Sequence, residues 1–326
     1  MYQSKNLNKY KKIIICIFFF IIIFICKYLI SLNLELNENQ MNKFDYQNSK
    51  FIVIKRTCKI CGLFSLFITN LGCIHKFLKK GYIPIIDLKS YPNVLNGCEA
   101  IKDNHWELFF EQPFGFTLEK TLKYGKNIEY KSCEDVNQRP NDNMAKKIVS
   151  INFWHNFAKK YMPIKQEIIN LANKKMKDLF NDSTNVLGVL ARGTDYTSMK
   201  PKYHPIPPSI DKVISDVKEL DKKNNYDWIF FSTEDEKIRE KFTKVFLNKV
   251  KQLNKIIIDY NYTSKYFINI NKNIYGNVKF NKQYLLNILI LSKCLDIVAA
   301  RCSGTAGILV LSNGFRYMKI YNYGEY

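Results

Sequence analysis

Three short stretches carry the residue types best suited to chemistry: Arg192-Gly193-Thr194-Asp195-Tyr196, Ser232-Thr233-Glu234-Asp235 and Arg301-Cys302-Ser303-Gly304-Thr305. Arg192 brings a planar guanidinium fork that meets two phosphate oxygens at once. Ser303, Gly304 and Thr305 open an apolar run that reads as a helix, and hydroxyls with backbone N–H groups at a positive helix end favour an anion. Thr233, Glu234 and Asp235 suit ribose hydroxyls or a base. Asp195, Tyr196 and His204 lie on the long loop beyond Arg192 and belong to the same substrate side. Together these residues describe a diphosphate cradle with nucleoside contacts. A plainer account treats Arg192 and Asp195 as a loop ion pair.

The elements that must position them follow from the hydrophobic pattern. Val186–Ala191 is a continuous apolar run bounded by Asn185 and Gly193, which fits a central strand of a parallel sheet. Residues 192–208 then form a loop expected to open onto a cleft rather than pack. Ser209 caps a helix carrying Ile210, Val213, Ile214 and Val217. The pattern continues with strands at Asp227–Ser232, Lys255–Asp259, Asp296–Ala300 and Met318–Tyr321, and with helices at Glu234–Lys251, Lys282–Lys293 and Gly304–Ser312. Ser232 or Thr233 is the expected cap of the 234–251 helix. Such alternation predicts a doubly wound parallel sheet, whose right-handed crossovers bring loops 191–196, 232–235 and 300–305 to one edge. Ligands of open α/β sheets bind at that edge.

The first half repeats the logic on a smaller scale. Phe51–Lys55, Leu63–Lys80 and Tyr82–Asp87 read as one βαβ unit, with Gly62 at a strand-to-helix corner that favours an anion. An ordinary tight turn accounts for Gly62 as well. Residues 88–145 show few clear periods. They hold Trp106-Glu107-Leu108-Phe109-Phe110-Glu111-Gln112-Pro113-Phe114-Gly115, in which rings beside carboxylates suit a sugar, or else mark a half-buried helix end. Two helices separated at Met162-Pro163 fill 144–180. The expected domains are therefore 51–145 on the acceptor side, bridging helices at 146–182, and a nucleotide-sugar-binding half at 183–326.

A chain of 326 residues has room for two ordinary domains. Its net charge of +21 comes from lysines spread through every segment, with no clustered groove, so nucleic acid is not an expected partner. Lys5, Lys9, Lys11 and Lys12 precede an unbroken apolar run from Ile13 to Cys26, and Ile13–Leu32 is long enough to span a bilayer if Lys27 snorkels. Residues 1–12 then form a cytoplasmic tail, 13–32 a signal-anchor and 33–50 a polar stalk. The basic flank predicts a single-pass type II orientation: in the Golgi or endoplasmic reticulum lumen of a eukaryote, or at a bacterial cell membrane. Cys58-x-x-Cys61 lacks the second pair that a zinc site needs. The remaining cysteines suit disulfides in an oxidising compartment, in a pairing left open. There is no P-loop, and no Asp-x-Asp stands at a strand end, so neither a cofactor nor a metal is expected.

Val189–Tyr196 resembles the HxRRxDY strand-loop of the fucosyltransferase superfamily. The order of that loop, FSTEDE and SKCLDIVAARCSGTAGILVLSNG is similar to the superfamily's nucleotide-binding half. The family's first arginine falls on Arg192, its Asp and Tyr on Asp195 and Tyr196, and its serine-rich loop on Ser303–Thr305. Its His and second Arg are here Leu190 and Gly193. WELFFEQPFGF and ARGTDYTSMKPKYHPIPPS also resemble segments of surface-polysaccharide glycosyltransferases. The resemblance implies a GT-B-like α/β fold of two Rossmann-like domains and metal-independent, inverting transfer. The donor would be a nucleotide-diphosphate sugar, with GDP-fucose one candidate, and the acceptor a glycan or glycoconjugate. Arg192 would take up the leaving charge, with Glu111 or Asp87 as the base. A non-catalytic glycan- or nucleotide-binding module on the same fold is the alternative.

Overall fold

A computed structural model describes residues 45–55, 61–90, 103–133, 136–141, 144, 148–193, 196–197, 200–253 and 278–326. The expected tail and anchor, most of the stalk, Asp195 and the 255–259 strand lie outside these residues. Among the described residues no helix is long and apolar enough to cross a membrane. The chain divides into residues 1–49 and a unit from Lys50 to Tyr326. Of the first part, 45–49 forms a turn in which Asp45 accepts from the amides of Gln47 and Asn48.

The Lys50–Tyr326 unit contains two parallel sheets. In the smaller, β1 (Lys50–Lys55) lies between β2 (Ile83–Asp87) and β3 (Asn127–Ser132). Four consecutive buried residues, Phe51–Ile54, make β1 the centre. Helix α1 (Leu63–Leu78) crosses from β1 to β2 and buries Leu63, Phe64, Phe67, Leu71 and Ile74. β3 is an edge strand whose side chains are nearly all exposed, so no apolar run announces it. Between β2 and β3 lie a 3-10 turn at His105–Leu108 and the short α2 (Leu118–Tyr124).

The aromatic cluster reads differently in three dimensions. Trp106, Phe109 and Phe110 are buried, and Trp106 stacks on Phe110 at 4.4 Å. They are core, not a sugar platform, because the 3-10 turn drives these rings beneath β2. Gln112 donates to the carbonyl of Ile86 and accepts from its amide, and Asn104 does the same for Ile86 O and Leu88 N, so two side chains close the free edge of β2.

Helices α3 (Ile148–Tyr161) and α4 (Gln166–Phe180) follow, parted at Met162-Pro163 as expected. The larger sheet has the order β6-β5-β4-β7-β8. Its strands are β4 (Val186–Leu190), β5 (Trp228–Ser232), β6 (Val250–Lys251), β7 (Asp296–Ala300) and β8 (Tyr317–Tyr321). Helices α5 (Ile210–Asn224), α6 (Glu236–Val245), α7 (Val278–Leu291) and α8 (Ser303–Leu311) connect them. Ser209 caps α5, as its position suggested. α6 is shorter than expected and is capped by Asp235, not by Ser232 or Thr233. Asp235 Oδ1 accepts from Ile238 N at 3.1 Å, and the chain beyond Phe246 turns to add β6 to the sheet edge.

One apolar cluster runs through both sheets, joining Ile52, Phe64 and Phe110 to Leu190, Ile288 and Ile308. α8 packs on α1, where Gly307 leaves the space that the Phe64 ring fills: a Cβ there would stand 2.1 Å from the ring. A second cluster, including Val189, Val213, Phe231 and Phe242, covers the other face of the larger sheet.

Candidate functional site

The chain leaves β4 toward β5 and β6 on one side and returns to β7 and β8 on the other. The carboxyl ends of β4 and β7 therefore flank the point where strand order reverses, the place where ligands of open α/β sheets bind. Two residues past β4 stands Arg192, and three past β7 stands Ser303, the first residue of α8.

Arg192 is not open to solvent as the loop reading expected. Its Nη1 lies 2.5 Å from Glu234 Oε1, and the two side chains are 16% and 17% exposed. The guanidinium carbon sits 4.7 Å from the centre of the Tyr196 ring, whose edge meets His204 at 5.3 Å. β4 and β5 are neighbours, joined past their ends by Ala191 N to Ser232 O, so this packing follows from adjacent strand ends. A guanidinium held between a carboxylate and a ring keeps its fork in one orientation.

The other residues divide between binding surface and framework. Ser303 is half-buried at the start of α8, and Gly304 is close-packed, since a Cβ there would lie 2.5 Å from Tyr284 Oη. Thr305 is fully buried and its hydroxyl donates to Ala300 O, which ties the turn between β7 and α8. Thr233 accepts from Asp235 N, and its carbonyl takes Arg239 Nη2. Burial pushes the Cys302 thiol up, the Arg192 guanidinium and the Thr305 hydroxyl pull against that rise, and Glu234 adds to it. β4 lies between β5 and β7, so the chain past each of these strand ends gathers at one edge of the sheet.

Arg301 heads the third stretch, where sequence alone assigns it no role of its own. It donates to Asn322 Oδ1 at 2.8 Å and pairs with Glu325 at 3.2 Å. Beside it, Tyr203–Ile206 and Gly324–Tyr326 pair as two short antiparallel stretches: Tyr203 N to Tyr326 O, Ile206 N to Gly324 O and Tyr326 N to His204 O. The far end of the Arg192 loop is thereby pinned. A basic residue directly after an apolar strand was the available signal, the same one that singled out Arg192.

On the smaller sheet, Gly62 is the N-cap of α1, whose first turn meets α8 through Phe64, and Phe64 packs edge-on against Tyr284 at 5.4 Å. Asp87 ends β2, is buried, and accepts from the amides of Lys89 and Ser90. Glu111 is exposed, with its amide on Pro163 O. Among the described residues no contact joins Asp87 or Glu111 to the Arg192 loop, and no group of His, Cys, Asp and Glu stands ready to hold a metal ion.

No family model matches this chain, and no curated protein matches it. Among solved structures it is similar to the NodZ α-1,6-fucosyltransferase co-crystallised with GDP, at 11% identity and TM-score 0.49, covering 81% of this chain and 93% of that one. The fucosyltransferase NodZ from Bradyrhizobium gives 12% identity and TM-score 0.49 over 81% and 94%. POFUT1 in complex with GDP gives 9% and 0.49 over 84% and 99%. These are likenesses of chain layout, and the functional reading rests on the chain's own residues.

Proposed function

We propose that this protein is a membrane-anchored glycosyltransferase that moves a sugar, fucose being the first candidate, from a nucleotide-diphosphate donor to a glycan or glycoconjugate. The observation that carries the reading is Arg192 at the switch point, aligned by Glu234 and Tyr196 opposite the start of α8. A diphosphate at that point gains a bidentate cation on one side and a positive helix end on the other. In the reaction the acceptor hydroxyl oxygen attacks the anomeric carbon while its bond to the phosphate oxygen breaks. The proton passes to a base, the leaving diphosphate keeps the electron pair, and configuration inverts. Arg192 and the α8 N-terminus oppose the charge that develops on the leaving oxygen. They supply the electrostatic role that a metal fills elsewhere, so the reaction runs without one.

Of the two proposed bases, Glu111 is the one with an exposed carboxylate, whereas Asp87 is engaged with two amides. The signal-anchor reading of 13–32 puts the large unit across the membrane from the cytoplasm. A disulfide between Cys73 and Cys133 supports an oxidising compartment.

The test is a thermal-melt screen of the full chain against GDP, UDP, CMP and their sugars. A ligand bound only to the folded state adds about 2.7 kcal/mol at a hundredfold excess over Kd. One nucleotide class is expected to raise the melting temperature of the native chain and not of Arg192→Ala. No shift with any nucleotide sugar removes the transferase reading and leaves a glycan-binding module.

A further inference from the structure

We propose that the Val149, Phe153, Phe157 and Tyr161 face of α3, flanked by the lysines at the end of α1, docks on an anionic bilayer surface. These four residues recur at every fourth position and share one face of the helix. Val149 is 84% exposed and Phe153 46%. The rings form a continuous strip: Phe153 to Phe157 at 5.9 Å, Phe157 to Tyr161 at 4.8 Å, and Tyr161 to Phe114 at 5.4 Å. Neither α1 nor α3 contains an acidic residue. Lys76, Lys79 and Lys80 project from the end of α1, which meets the strip through His75 against Phe153 and Phe157. Lys160, whose Nζ lies 5.0 Å from the centre of the Tyr161 ring, closes the other end, where Glu111 borders the strip. Val149 and Phe153 stand exposed while Phe157 and Tyr161 are half-buried against the core, and such an exposed apolar end with basic neighbours is the pattern of a helix lying in a lipid headgroup layer.

The position of the Val149–Phe153 end of the strip argues against a glycan acceptor as the occupant there, whereas the Tyr161 end borders Glu111. α1 starts at the carboxyl edge of the small sheet, near α8, and ends at the opposite edge beside β2, where Phe51 pairs with Ile83. His155 on α3 contacts Val310 O at the far end of α8 from Ser303. The strip therefore begins at the edge away from the Arg192 site. At this same edge the chain enters β1 at Lys50. Residues 33–49 separate that point from the apolar 13–32 segment, a reach of at most roughly 60 Å when fully extended. Docking at this edge rests in part on the proposed 13–32 anchor, which the experiment measures separately.

The full chain is reconstituted in vesicles of phosphatidylcholine, alone or mixed with phosphatidylglycerol, with a polarity-sensitive fluorophore on Phe153→Cys. The label's emission is expected to rise about twofold in mixed over neutral vesicles, and to fall back in the Lys76→Glu, Lys79→Glu variant. Nucleotide-sugar binding stays unchanged in that variant. Resistance to carbonate extraction reports the anchor alone. A carbonate-resistant chain whose label ignores lipid charge overturns the proposal and spares the anchor. A chain that is washed off by carbonate but floats with mixed vesicles, and loses this with the lysine variant, sustains the proposal and removes the anchor. No flotation at all overturns both. Emission that rises with protein concentration in detergent assigns the face to a second copy and overturns it too.

Discussion

Nη1 of Arg192 is paired with Glu234 here, so a donor diphosphate must share the arginine with that carboxylate or displace it. Either way geometry matters more than charge, and Arg192→Lys is expected to fail almost as badly as Arg192→Ala, each losing about 3–4 kcal/mol of transition-state stabilisation and roughly a hundred- to a thousandfold in turnover. Both variants also disturb the largely buried Arg192–Glu234 pair and should melt lower. Adding Glu234→Ala restores most of that stability and none of the donor affinity. Wild-type affinity in Arg192→Ala would remove the residue from the site. Gly193 offers a second check. A Cβ there would meet Ile238 Cδ1 at 2.5 Å and Asp235 Oδ2 at 2.7 Å, so Gly193→Ala presses on the capped start of α6. A cost of about 1–3 kcal/mol in a denaturant melt is expected. Arg192 and Ser303 were legible because a charge or a hydroxyl directly after an apolar strand has few reasons to be there. The Arg301 contacts were not, since Asn322 and Glu325 are brought beside it only by β8. Nor could sequence say that Thr305 turns inward to Ala300 O, because a hydroxyl in a first helical turn serves ligand or backbone equally well.

Among the elements, β4, β5 and β7 were read nearly to the residue, because strands covered on both faces are continuous apolar runs. β3 and the early end of α6 were missed for the opposite reason. One is an exposed edge strand, and the other stops where β6 pairs with β5, a long-range event without a local signature. α5 and β8 are clamped by a contact that no motif shows: buried Asp216 binds Lys212, Lys319 and the Tyr321 hydroxyl, all within 2.9 Å. Burial pushes its carboxyl up, but the two ammonium groups and the phenol outweigh burial and hold it below the usual carboxylate value. A depressed folded value means that the clamp is fully in force above the unfolded pKa, near 3.9, and is lost as pH falls through the lower folded one. Asp216→Asn should therefore lower stability by about 2 kcal/mol at neutral pH and flatten the acid limb of the stability curve. Parallel acid limbs in the two proteins would mean that Asp216 is not what titrates.

At the scale of the whole molecule, the two sheets share one core, and α1 is the piece that joins them. Its first turn meets α8 through Phe64 and Gly307, and its later turns reach the aromatic face of α3. The Cys73–Cys133 disulfide fastens the middle of this helix to the chain just past β3, across a sequence separation of 60. Closing a loop of that length removes enough unfolded-state entropy to stabilise the fold by about 4 kcal/mol on the chain-entropy account. Reduction, or Cys133→Ser, is thus expected to cost several degrees of melting temperature. Because α1 positions the seam beside the Arg192 site, it should also weaken donor binding measured well below the melt. Loss of stability with donor affinity unchanged would mean that the seam and that site are independent. The same bond tests the compartment. Chain recovered from its own membranes with thiols blocked at lysis should yield a Cys73–Cys133 linked peptide, and sealed vesicles should shield that peptide from added protease. Free Cys73 and Cys133 in protein that binds donor normally would put the large unit on the reducing, cytoplasmic side. The type II orientation would then fall, while the Arg192 site and its chemistry would stand unaltered.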